Sequence, residues 1–499
     1  MAENGRKDRG GMSGAGRPNV LFIFTDQQRR DTISALGNPF IVTPALDSIA
    51  TAPDTYVFDR CYTPSPVCVP ARLAMFAGQY CSRTGNNNNN AVSVYEGEGF
   101  FKRFTDAGYD TCCIGKMHYR KDPYGPMGFR RRLVQEEMAD PRDDYMKWLR
   151  GTPYRNVFDY NGQRTELYYI PQVSQLPSEA HPTQWIGDRA VEFINGTGRS
   201  GEPFFLFASF IHPHPPFAPP SPWNKMYRSR VSPAFVPEDE DSYRDLLRNR
   251  YTLDALAISP RRRELLVQHY YACVSFVDYQ IGRIVAALKE RGLYENTIIV
   301  FSSDHGELLG DYRSMGKRTM LDAASNIPLL IRVPGCTGGI RHDPASLVDM
   351  APTLLSACGI GYPGGEFDGV DLMSGRHDLV FSQYESGPAE TCMAASGTDK
   401  LVWSAIGGRY FYFDSFPDGK DRFDLSLPRV RELKERLDAY MASDRCPAPT
   451  EGPARKSPLL QEYGSFYAPL DDHCSTMEEE RARMPEGYPI TLGCKHTDY

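Results

Sequence analysis

The most specific pattern of residues in the sequence is a short segment that contains one cysteine. The segment from Pro66 to Gly78 reads PVCVPARLAMFAG, with Cys68 and Arg72 on either side of a proline. Because proline suits the first turn of a helix, the pattern predicts a helix that begins near the cysteine. A helix N-terminus lowers the pKa of a thiol or attracts an anion, so Cys68 is a candidate reactive residue. Taken alone, the same segment also fits a buried structural cysteine.

Further side chains that can do chemistry follow three short apolar runs, at the point where each run ends. The runs are VLFIFT, PFFLFASF and TIIVFSS, and the side chains are Asp26 and Gln27, His212 and His214, and Asp304 and His305. Continuous apolar runs of this length are typical of buried parallel strands. Ligands bind at the carboxyl ends of such strands, so we expect these groups to converge. Their carboxylate and amide oxygens suit a hard divalent cation, with one imidazole as a further ligand.

The order of these elements predicts an α/β fold. A fourth apolar run occupies residues 327–334, and helix-spaced apolar residues between Arg263 and Arg291 predict a long helix that ends at Gly292. Strands that alternate with helices favour a mostly parallel central sheet flanked by helices.

The pattern changes after residue 370. Three short strand-like runs, DLVFSQYE, KLVWS and RYFYFDS, are followed by a helix-like segment, VRELKERLDAYMAS. They predict a smaller C-terminal α+β domain made of an antiparallel sheet and one helix. The predicted domains are a disordered lead-in at residues 1–18, a catalytic domain at 19–370, and the C-terminal domain with an irregular tail at 371–499.

Composition excludes several classes of protein. The 499 residues include 56 Lys and Arg against 63 Asp and Glu, a net charge of −7, which disfavours a nucleic-acid-binding protein. No apolar run approaches the length of a membrane span, and the N-terminal residues lack the apolar stretch of a secretory signal. We therefore expect a cytoplasmic protein that binds neither nucleic acid nor membrane. Twelve cysteines without a CxxC pair fit reduced thiols rather than a disulfide framework.

The cysteine segment resembles the signature of the type I sulfatases, in the alkaline phosphatase superfamily, whose cysteine is oxidised to formylglycine after synthesis. The segment GYDTCCIGKMH at 108–118 resembles the second signature of that family, with Lys116 and His118 at its end. Further resemblances are TDQ at 25–27, PHPP at 213–216, SDHGE at 303–307, GK at 316–317, VDMAPTLL at 348–355, and YFD with FDL within 412–425. The motifs follow the order of the family, and the resemblance covers residues 19 to about 440.

The resemblance implies the fold, the cofactors and the maturation of the protein. It implies an alkaline-phosphatase-like fold, a divalent cation that is Ca²⁺ or, as second choice, Mg²⁺, and conversion of Cys68 by a formylglycine-generating enzyme. The implied metal ligands are Asp26, Gln27, the modified Cys68, Asp304 and His305. The formylglycine hydrate would attack sulfur through one hydroxyl, and its second hydroxyl would let the adduct collapse to the aldehyde and inorganic sulfate.

The resemblance also implies a role for each remaining site residue. Arg72 and Lys116 would brace the modified residue and neutralise charge. His118 would take the proton that triggers collapse. His214 and Lys317 would contact the sulfate and the leaving oxygen, with His214 as the general acid.

Several alternatives stay open on the sequence. The expected substrate is a small sulfate monoester, a sulfated sugar first and a choline or aryl sulfate second. A related branch of the superfamily hydrolyses phosphonate monoesters and phosphodiesters with an Asp-His metal pair, but it typically lacks the GKMH motif present at 115–118. If Cys68 stays a thiol, the protein would instead bind sulfated ligands without catalysis. His212 is the alternative general acid to His214, and the oligomeric state, a homo-oligomer included, is left open.

Overall fold

The structure is a computed structural model. Its fold is organised around one large β-sheet. It describes residues 16–89, 95–118, 124–137, 140–163, 169–197, 201–228, 231–237, 243–247, 259–416, 418–443, 446 and 481–488. The central sheet has eight strands, which in spatial order are β5 (Arg131–Val134), β4 (Asp110–Gly115), β6 (Phe204–Ser209), β1 (Asn19–Thr25), β7 (Thr297–Ser303), β8 (Leu329–Arg332), β2 (Thr55–Phe58) and β9 (Gly339–Arg341). A two-stranded sheet pairs β3 (Cys61–Tyr62) with β10 (Ala345–Ser346).

Helices cover the sheet and connect its strands. They are α1 (Pro44–Ala50), α2 (Cys68–Ala77), α3 (Cys81–Thr84), α4 (Phe101–Asp106), α5 (Asp144–Arg150), α6 (Pro182–Gly196), α7 (Arg244–Leu247), α8 (Pro260–Glu290), α9 (Asp322–Ser325), α10 (Met350–Ala357) and α11 (Pro428–Ala442). None of the described helices combines the length and the apolar character that a membrane span requires.

The strands of the central sheet run mostly parallel, as predicted. β1 pairs in parallel with β6 on one side and with β7 on the other, and β4 pairs in parallel with β6 and β5. The register places Thr25 beside Ser303, and Phe24 beside Ser209. The residues that follow β1, β6 and β7 therefore emerge at one edge of the sheet, where the sequence predicts that they converge.

The fourth apolar run joins the sheet in the opposite direction. β8 pairs antiparallel with both β7 and β2. The connection from β7 to β8 at residues 304–328 holds only one short α-helix, α9. A parallel strand needs a crossover that returns the chain to the opposite edge of the sheet, whereas an antiparallel strand does not, so a connection with so little helix fits the antiparallel direction.

Both faces of the central sheet are buried under apolar side chains. Val20, Phe22 and Phe24 of β1 pack into a layer that includes residues of α2, α4 and α10. Leu21 and Ile23 point to the other face, where they pack with residues of α6 and α8. A strand buried on both faces must be apolar at every position, which is why β1 shows no alternation.

The predicted long helix is present as α8. The Ser259 side chain accepts a hydrogen bond from the N–H of Arg262 at 3.2 Å, and Pro260 is the first helical residue. Gly292 follows the end of α8 with a φ of 66°, in the left-handed region that favours glycine. The sequence therefore located both ends of α8 to within a few residues.

The C-terminal part forms an antiparallel sheet of β11 (Val380–Tyr384), β12 (Thr391–Ala395), β13 (Lys400–Ser404) and β14 (Arg409–Phe413). α11 covers it with Val430, Leu433 and Leu437. The sequence analysis missed β12, whose sequence TCMAA has no aromatic residue and only one of the β-branched residues typical of strands. The domain boundaries stay predictions, and residues 1–15 and most of 444–499 lie outside the described residues.

A buried lysine joins the small sheet to the large one. Lys400 of β13 is fully buried, and its Nζ donates to the carbonyl oxygen of Met320 at 2.9 Å. The same Nζ donates to Asp322 of α9 at 2.7 Å and to Asp418 at 2.8 Å. These bonds fix the C-terminal sheet against the connection that carries Lys317.

We expect Lys400→Met to lower the free energy of unfolding by about 3–5 kcal/mol, because it leaves two carboxylates buried without their cation. Lys434→Met is the matched control. Lys434 pairs with Asp438 at 2.6 Å on the exposed face of α11, and its loss should cost less than about 1 kcal/mol. Denaturant unfolding of both variants and the wild type measures the difference. Equal midpoints for the two variants would contradict the proposed role of Lys400.

Candidate active site

α2 begins at the cysteine, as the sequence predicts. Cys68 is the first residue of α2, and Pro70 lies in its first turn. The backbone N–H of Val69 donates to Oδ1 of Asn89 at 3.0 Å, which caps the helix. Every residue of α2 is buried, and Gly78 ends it with a φ of 63°. The sulfur of Cys68 therefore lies at a buried helix N-terminus.

The side chains that follow β1 and β7 converge on this sulfur. Oδ1 of Asp26 lies 3.8 Å from Sγ of Cys68, and Nε2 of His305 lies 3.3 Å from it. Nε2 of His305 is also 3.6 Å from Oδ1 of Asp26 and 3.4 Å from Oδ1 of Asp304. Donor atoms of these four buried residues all lie within 4.8 Å of one another. They form a compact set of two carboxylates, one imidazole and one sulfur.

Two further contacts suit this set to a cation. Nδ1 of His305 lies 3.1 Å from the carbonyl oxygen of Gly306 and donates to it, so Nε2 keeps a lone pair toward the cluster. The side-chain nitrogen of Gln27 donates to Glu307, and its buried amide oxygen has no hydrogen-bond partner in the described part of the chain. A leftover buried acceptor of this kind fits a ligand of a hard divalent cation. The residues present therefore fit the cation that the sequence predicts.

The backbone turns sharply at three points around the cluster. Gln27 has a φ of 65°, His118 of 46° and Arg318 of 74°, all in the left-handed region. Residues other than glycine adopt this region rarely, and such conformations concentrate at functional sites. At Gln27 the turn lets the backbone N–H donate to Oδ1 of Asp304 at 3.0 Å.

A buried arginine of α2 orients the carboxylates. Nε of Arg72 donates to Oδ2 of Asp304 at 2.7 Å, and Nη2 lies 3.6 Å from Oδ2 of Asp26. Nη1 donates to Oγ of Ser209 and to the carbonyl oxygen of Lys116, both at 3.1 Å. Because the guanidinium is fully buried, these partners offset the cost of removing its charge from water. Arg72 thereby ties α2 to the ends of β1, β6 and β7.

Lys116 reaches the cluster through a close approach of β4 to β6. Gly115 has a φ of 99°, and a Cβ there would collide with the carbonyl oxygen of Ser209. That carbonyl accepts the N–H of Lys116 at 3.1 Å. Nζ of Lys116 then donates to Asp26 and to Glu137. Only glycine fits at the end of β4, and it brings the lysine into the pocket.

The lysines make the pocket favourable for an anion. Nζ of Lys317 lies 3.0 Å from Sγ of Cys68 and 3.3 Å from Nε2 of His305. Burial opposes ionisation of Cys68, but the charges of Lys116 and Lys317 outweigh it and hold the pKa of the thiol well below its usual value. Burial also opposes ionisation of Asp26, and Lys116 with other nearby cations still lowers its pKa.

Comparison with known proteins identifies the family. The family model described as Sulfatase matches residues 18–360, a span that contains every residue of the cluster. The chain belongs to the sulfatase family. It is a sulfuric ester hydrolase.

Related proteins agree with this assignment. The sulfatase is 28% identical over 457 residues to an arylsulfatase of Clostridium perfringens, which covers 85% of this chain and 92% of that protein. It is 29% identical over 421 residues to a choline-sulfatase of Rhizobium meliloti, covering 78% and 79% of the two chains. Among solved structures, the phosphonate monoester hydrolase of Agrobacterium radiobacter matches with a TM-score of 0.71 at 24% identity, covering 85% of this chain and 96% of that one. This likeness shows the alkaline-phosphatase-like fold.

The structure brings the predicted site residues of the sulfatase together. They are Asp26, Gln27, Cys68, Arg72, Lys116, His118, His214, Asp304, His305 and Lys317. His214 joins through its ring, since donor atoms of His214, Cys68, Asp26 and Glu137 lie within 4.8 Å of one another. Nδ1 of His214 is 2.7 Å from the carbonyl oxygen of Pro215 and donates to it, which leaves Nε2 for the pocket. The individual catalytic roles stay predictions.

The alternative acid, His212, packs away from the sulfatase site. Its Nδ1 lies 3.3 Å from Oγ1 of Thr183, and its ring centroid lies 4.8 Å from that of His181. Burial, with a further contribution from the charge of His214, lowers the pKa of His212 to about 3. His212 is therefore neutral at neutral pH and its ring packs against other side chains. Both features favour His214 as the general acid.

Glu137 is a site residue that the sequence analysis did not find. Its Oε1 lies 3.8 Å from Nδ1 of His118 and 3.8 Å from Nε2 of His214. The same oxygen accepts a hydrogen bond from Nζ of Lys116, and the side chain is 14% exposed. Glu137 thus touches three predicted catalytic residues at once.

The position of Glu137 follows from β5. The strand has the sequence RRLV and pairs in parallel with β4, so both strands end at the edge that carries the site. The side-chain amide of Asn161 donates a hydrogen bond to the carbonyl oxygen of Glu137 at 3.2 Å, which fixes the backbone after β5. An edge strand of four residues with two arginines has neither an apolar run nor a readable alternation, so the sequence carries no signal for it.

We expect Glu137→Gln to strengthen inhibition by the product sulfate, because a neutral amide no longer competes with sulfate for Lys116 and the two histidines. The inhibition constant of inorganic sulfate against an aryl sulfate should fall about tenfold. Glu136→Gln is the matched control, since Glu136 accepts the N–H groups of Met117 and His118 at 2.9 and 3.3 Å. An unchanged constant in Glu137→Gln, or an equal fall in the control, would contradict this role.

Proposed function

We propose that the protein hydrolyses a sulfate monoester to an alcohol and inorganic sulfate. The proposed nucleophile is a formylglycine formed from Cys68 by a formylglycine-generating enzyme, and the proposed cation is Ca²⁺ before Mg²⁺. The observation that carries the proposal is the position of Sγ of Cys68. It lies within hydrogen-bonding distance of Lys317 and His305, at 3.0 and 3.3 Å, and 3.8 Å from Asp26. A group at the position of Sγ contacts both the candidate metal ligands and Lys317, whose charge can bind the sulfate.

The charges of the pocket suit a sulfate ester. Such an ester carries one negative charge, and Arg72 and Lys116 are fully buried cations whose charges act on the sulfur of Cys68. Their charges act more strongly in a buried pocket than in water, because little solvent screens them. Asp304 and Asp26 hold them in place before substrate arrives, so little rearrangement is needed as charge develops.

The residues that would hold the cation are Asp26, Gln27, Asp304 and His305. When bound, the cation would neutralise charge on the sulfate and help to ionise the nucleophile. Hydrated formylglycine at position 68 would supply the attacking hydroxyl and a second hydroxyl for release of sulfate. His118 would take the proton of that second hydroxyl, with its ring oriented by Glu137.

His214 would protonate the leaving oxygen, and this supports the choice of substrate. Its Nδ1 is bound to the carbonyl oxygen of Pro215, so Nε2 exchanges the proton. The alkoxide of a sugar or of choline leaves poorly without a proton, whereas a phenolate leaves readily. We therefore propose a sulfated sugar as the first substrate class and choline sulfate as the second.

The second candidate activity is hydrolysis of a phosphonate monoester or a phosphodiester. The observation that favours it is the Asp304 and His305 pair at the cluster, the metal pair of that branch of the superfamily. Relative values of kcat/KM for sulfate and phosphonate esters of one alcohol separate the two activities.

The proposal is tested by release of inorganic sulfate from sulfated sugars, choline sulfate and an aryl sulfate. The protein is co-produced with a formylglycine-generating enzyme, and the modified fraction of Cys68 is measured by peptide mass spectrometry. We expect release that Cys68→Ala abolishes, that a chelator suppresses, and that Ca²⁺ or Mg²⁺ restores. The cation that restores the higher rate identifies the metal.

Other outcomes of this experiment exclude the proposal. Faster hydrolysis of phosphonate esters by fully modified protein would establish the second candidate activity. Unmodified Cys68 in protein from its native cells, without sulfate release, would favour a binding protein for sulfated ligands.

We expect His214→Ala to lower kcat/KM for an alkyl sulfate by about 10²- to 10⁴-fold, because the leaving oxygen then lacks its proton donor. The loss should be much smaller for an aryl sulfate with an acidic phenol. His212→Ala is the matched control, since its ring contacts Thr183 and His181. It should change the two substrates equally. A selective loss on alkyl sulfates in His212→Ala would assign the acid to that residue instead.

A further inference from the structure

A cavity with a volume of 350 Å³ is lined by none of the predicted sulfatase-site residues among those the structure describes. It lies between the loop that follows β1, the turn between β2 and β3, and the N-terminal half of α8. Four arginines line it: Arg29, Arg30, Arg60 and Arg263. Four positive side chains around one small cavity need an explanation.

The carboxylates of this cavity are already engaged by other cations. Asp31 and Asp311 bind Arg29 at 2.6 and 2.8 Å. Asp322 binds Lys400 at 2.7 Å. The three carboxylates that line the cavity therefore compensate Arg29 and a lysine outside it, and not the other three arginines.

Arg30, Arg60 and Arg263 form no ion pair within the described residues. The charge of a further carboxylate, that of Asp59, acts on Arg30, but its Oδ2 lies 2.7 Å from Nδ1 of His342. Arg60 and Arg263 donate to backbone carbonyl oxygens at 3.0 to 3.2 Å, those of Asp59, Leu309 and Ser232. Carbonyl groups satisfy hydrogen bonds but carry no compensating charge.

Two of these guanidinium groups also contain unused buried donors. The Nε atoms of Arg30 and Arg60 are shielded from solvent and have no hydrogen-bond partner in the described part of the chain. Burial, together with the positive charge of Arg60, lowers the pKa of Arg30. A guanidinium remains protonated at neutral pH even so, because its ordinary pKa is far above 7. Buried, unpaired donors on like charges are costly unless an anion joins them.

We propose that this cavity is a second anion-binding site, in which Arg30, Arg60 and Arg263 bind a sulfate, phosphate or carboxylate group. An anion there would neutralise three crowded charges at once. Guanidinium groups suit such groups because their planar donors match paired oxygens. The proposal does not depend on the reaction at Cys68.

The cavity is also larger than one tetrahedral anion. Pockets for small organic ligands begin at about 300 Å³, and aromatic rings contribute to this wall, namely those of Phe235, Tyr271, Tyr312 and Phe416. Phe416 lies under Arg60, with the guanidinium carbon 3.7 Å from the ring centroid. Such walls fit the body of a sugar-sized molecule that carries the anionic group.

Isothermal titration calorimetry on the metal-loaded enzyme tests the proposal, with inorganic phosphate and glucose 6-phosphate as probes. We expect binding at two sites per chain, since the reaction site also attracts anions. Arg30→Gln and Arg60→Gln should each weaken one of the two sites about tenfold or more. Lys317→Met should weaken the other site instead. Sulfate release, measured on the same samples, should persist in Arg30→Gln.

Arg376→Gln is the matched control, because Arg376 is an exposed arginine outside the cavity with 67% of its side chain accessible. Arg30→Lys keeps the charge and should retain part of the affinity. Binding at a single site that only Lys317→Met weakens would overturn the proposal. So would an equal loss of affinity in Arg376→Gln, since that would reflect net charge alone.

The two probes distinguish the sources of the anion. Tighter arginine-dependent binding of glucose 6-phosphate identifies an organic ligand that carries the anionic group. Equal binding of the two probes identifies a free inorganic ion. Both outcomes support the second site.

Discussion

The buried charges at the carboxyl edge of the sheet must compensate one another, and the position of the other site elements depends on this. Asp26 and Asp304 directly follow two neighbouring strands and are fully buried. Arg72 binds Asp304 at 2.7 Å, and Lys116 binds Asp26. A buried carboxylate that lost its cation would cost several kcal/mol, about 3–5 in measured cases. The helix and the strand that carry the two cations are therefore fixed relative to β1 and β7.

This arrangement places the sulfur of Cys68. Arg72 lies one helical turn after Cys68, so an arginine anchored at the strand ends holds the start of α2 at the same edge. The helix packs its apolar residues against the aromatic face of β1, with Phe24 close to the guanidinium at 5.0 Å. Core packing and ion pairing thus favour the same position for the sulfur. Because the two kinds of interaction agree, they specify that position together.

The pocket combines cations beside the sulfur with a carboxylate that tempers them. Lys317 brings a further cation to the sulfur, while Glu137 binds Lys116 and faces two histidines. Sulfate must bind tightly enough to react and weakly enough to leave as product. A carboxylate beside the cations moves this balance toward release, at the cost of some affinity for substrate.

The sequence by itself determined the class of fold, the strands with continuous apolar runs, the ends of α8, and the ten residues that converge at the site. These features are local, since a run, a cap or a motif is readable within a short window. Only the tertiary structure decided the antiparallel direction of β8, the strand β12, the presence of Glu137 and the arginine cavity. Each of these depends on which distant segments become neighbours, and short polar strands such as β5 carry no pattern that predicts their partners. The different packing of His212 and His214 was likewise visible only in the structure, because residues two apart on a turn differ in surroundings and not in type.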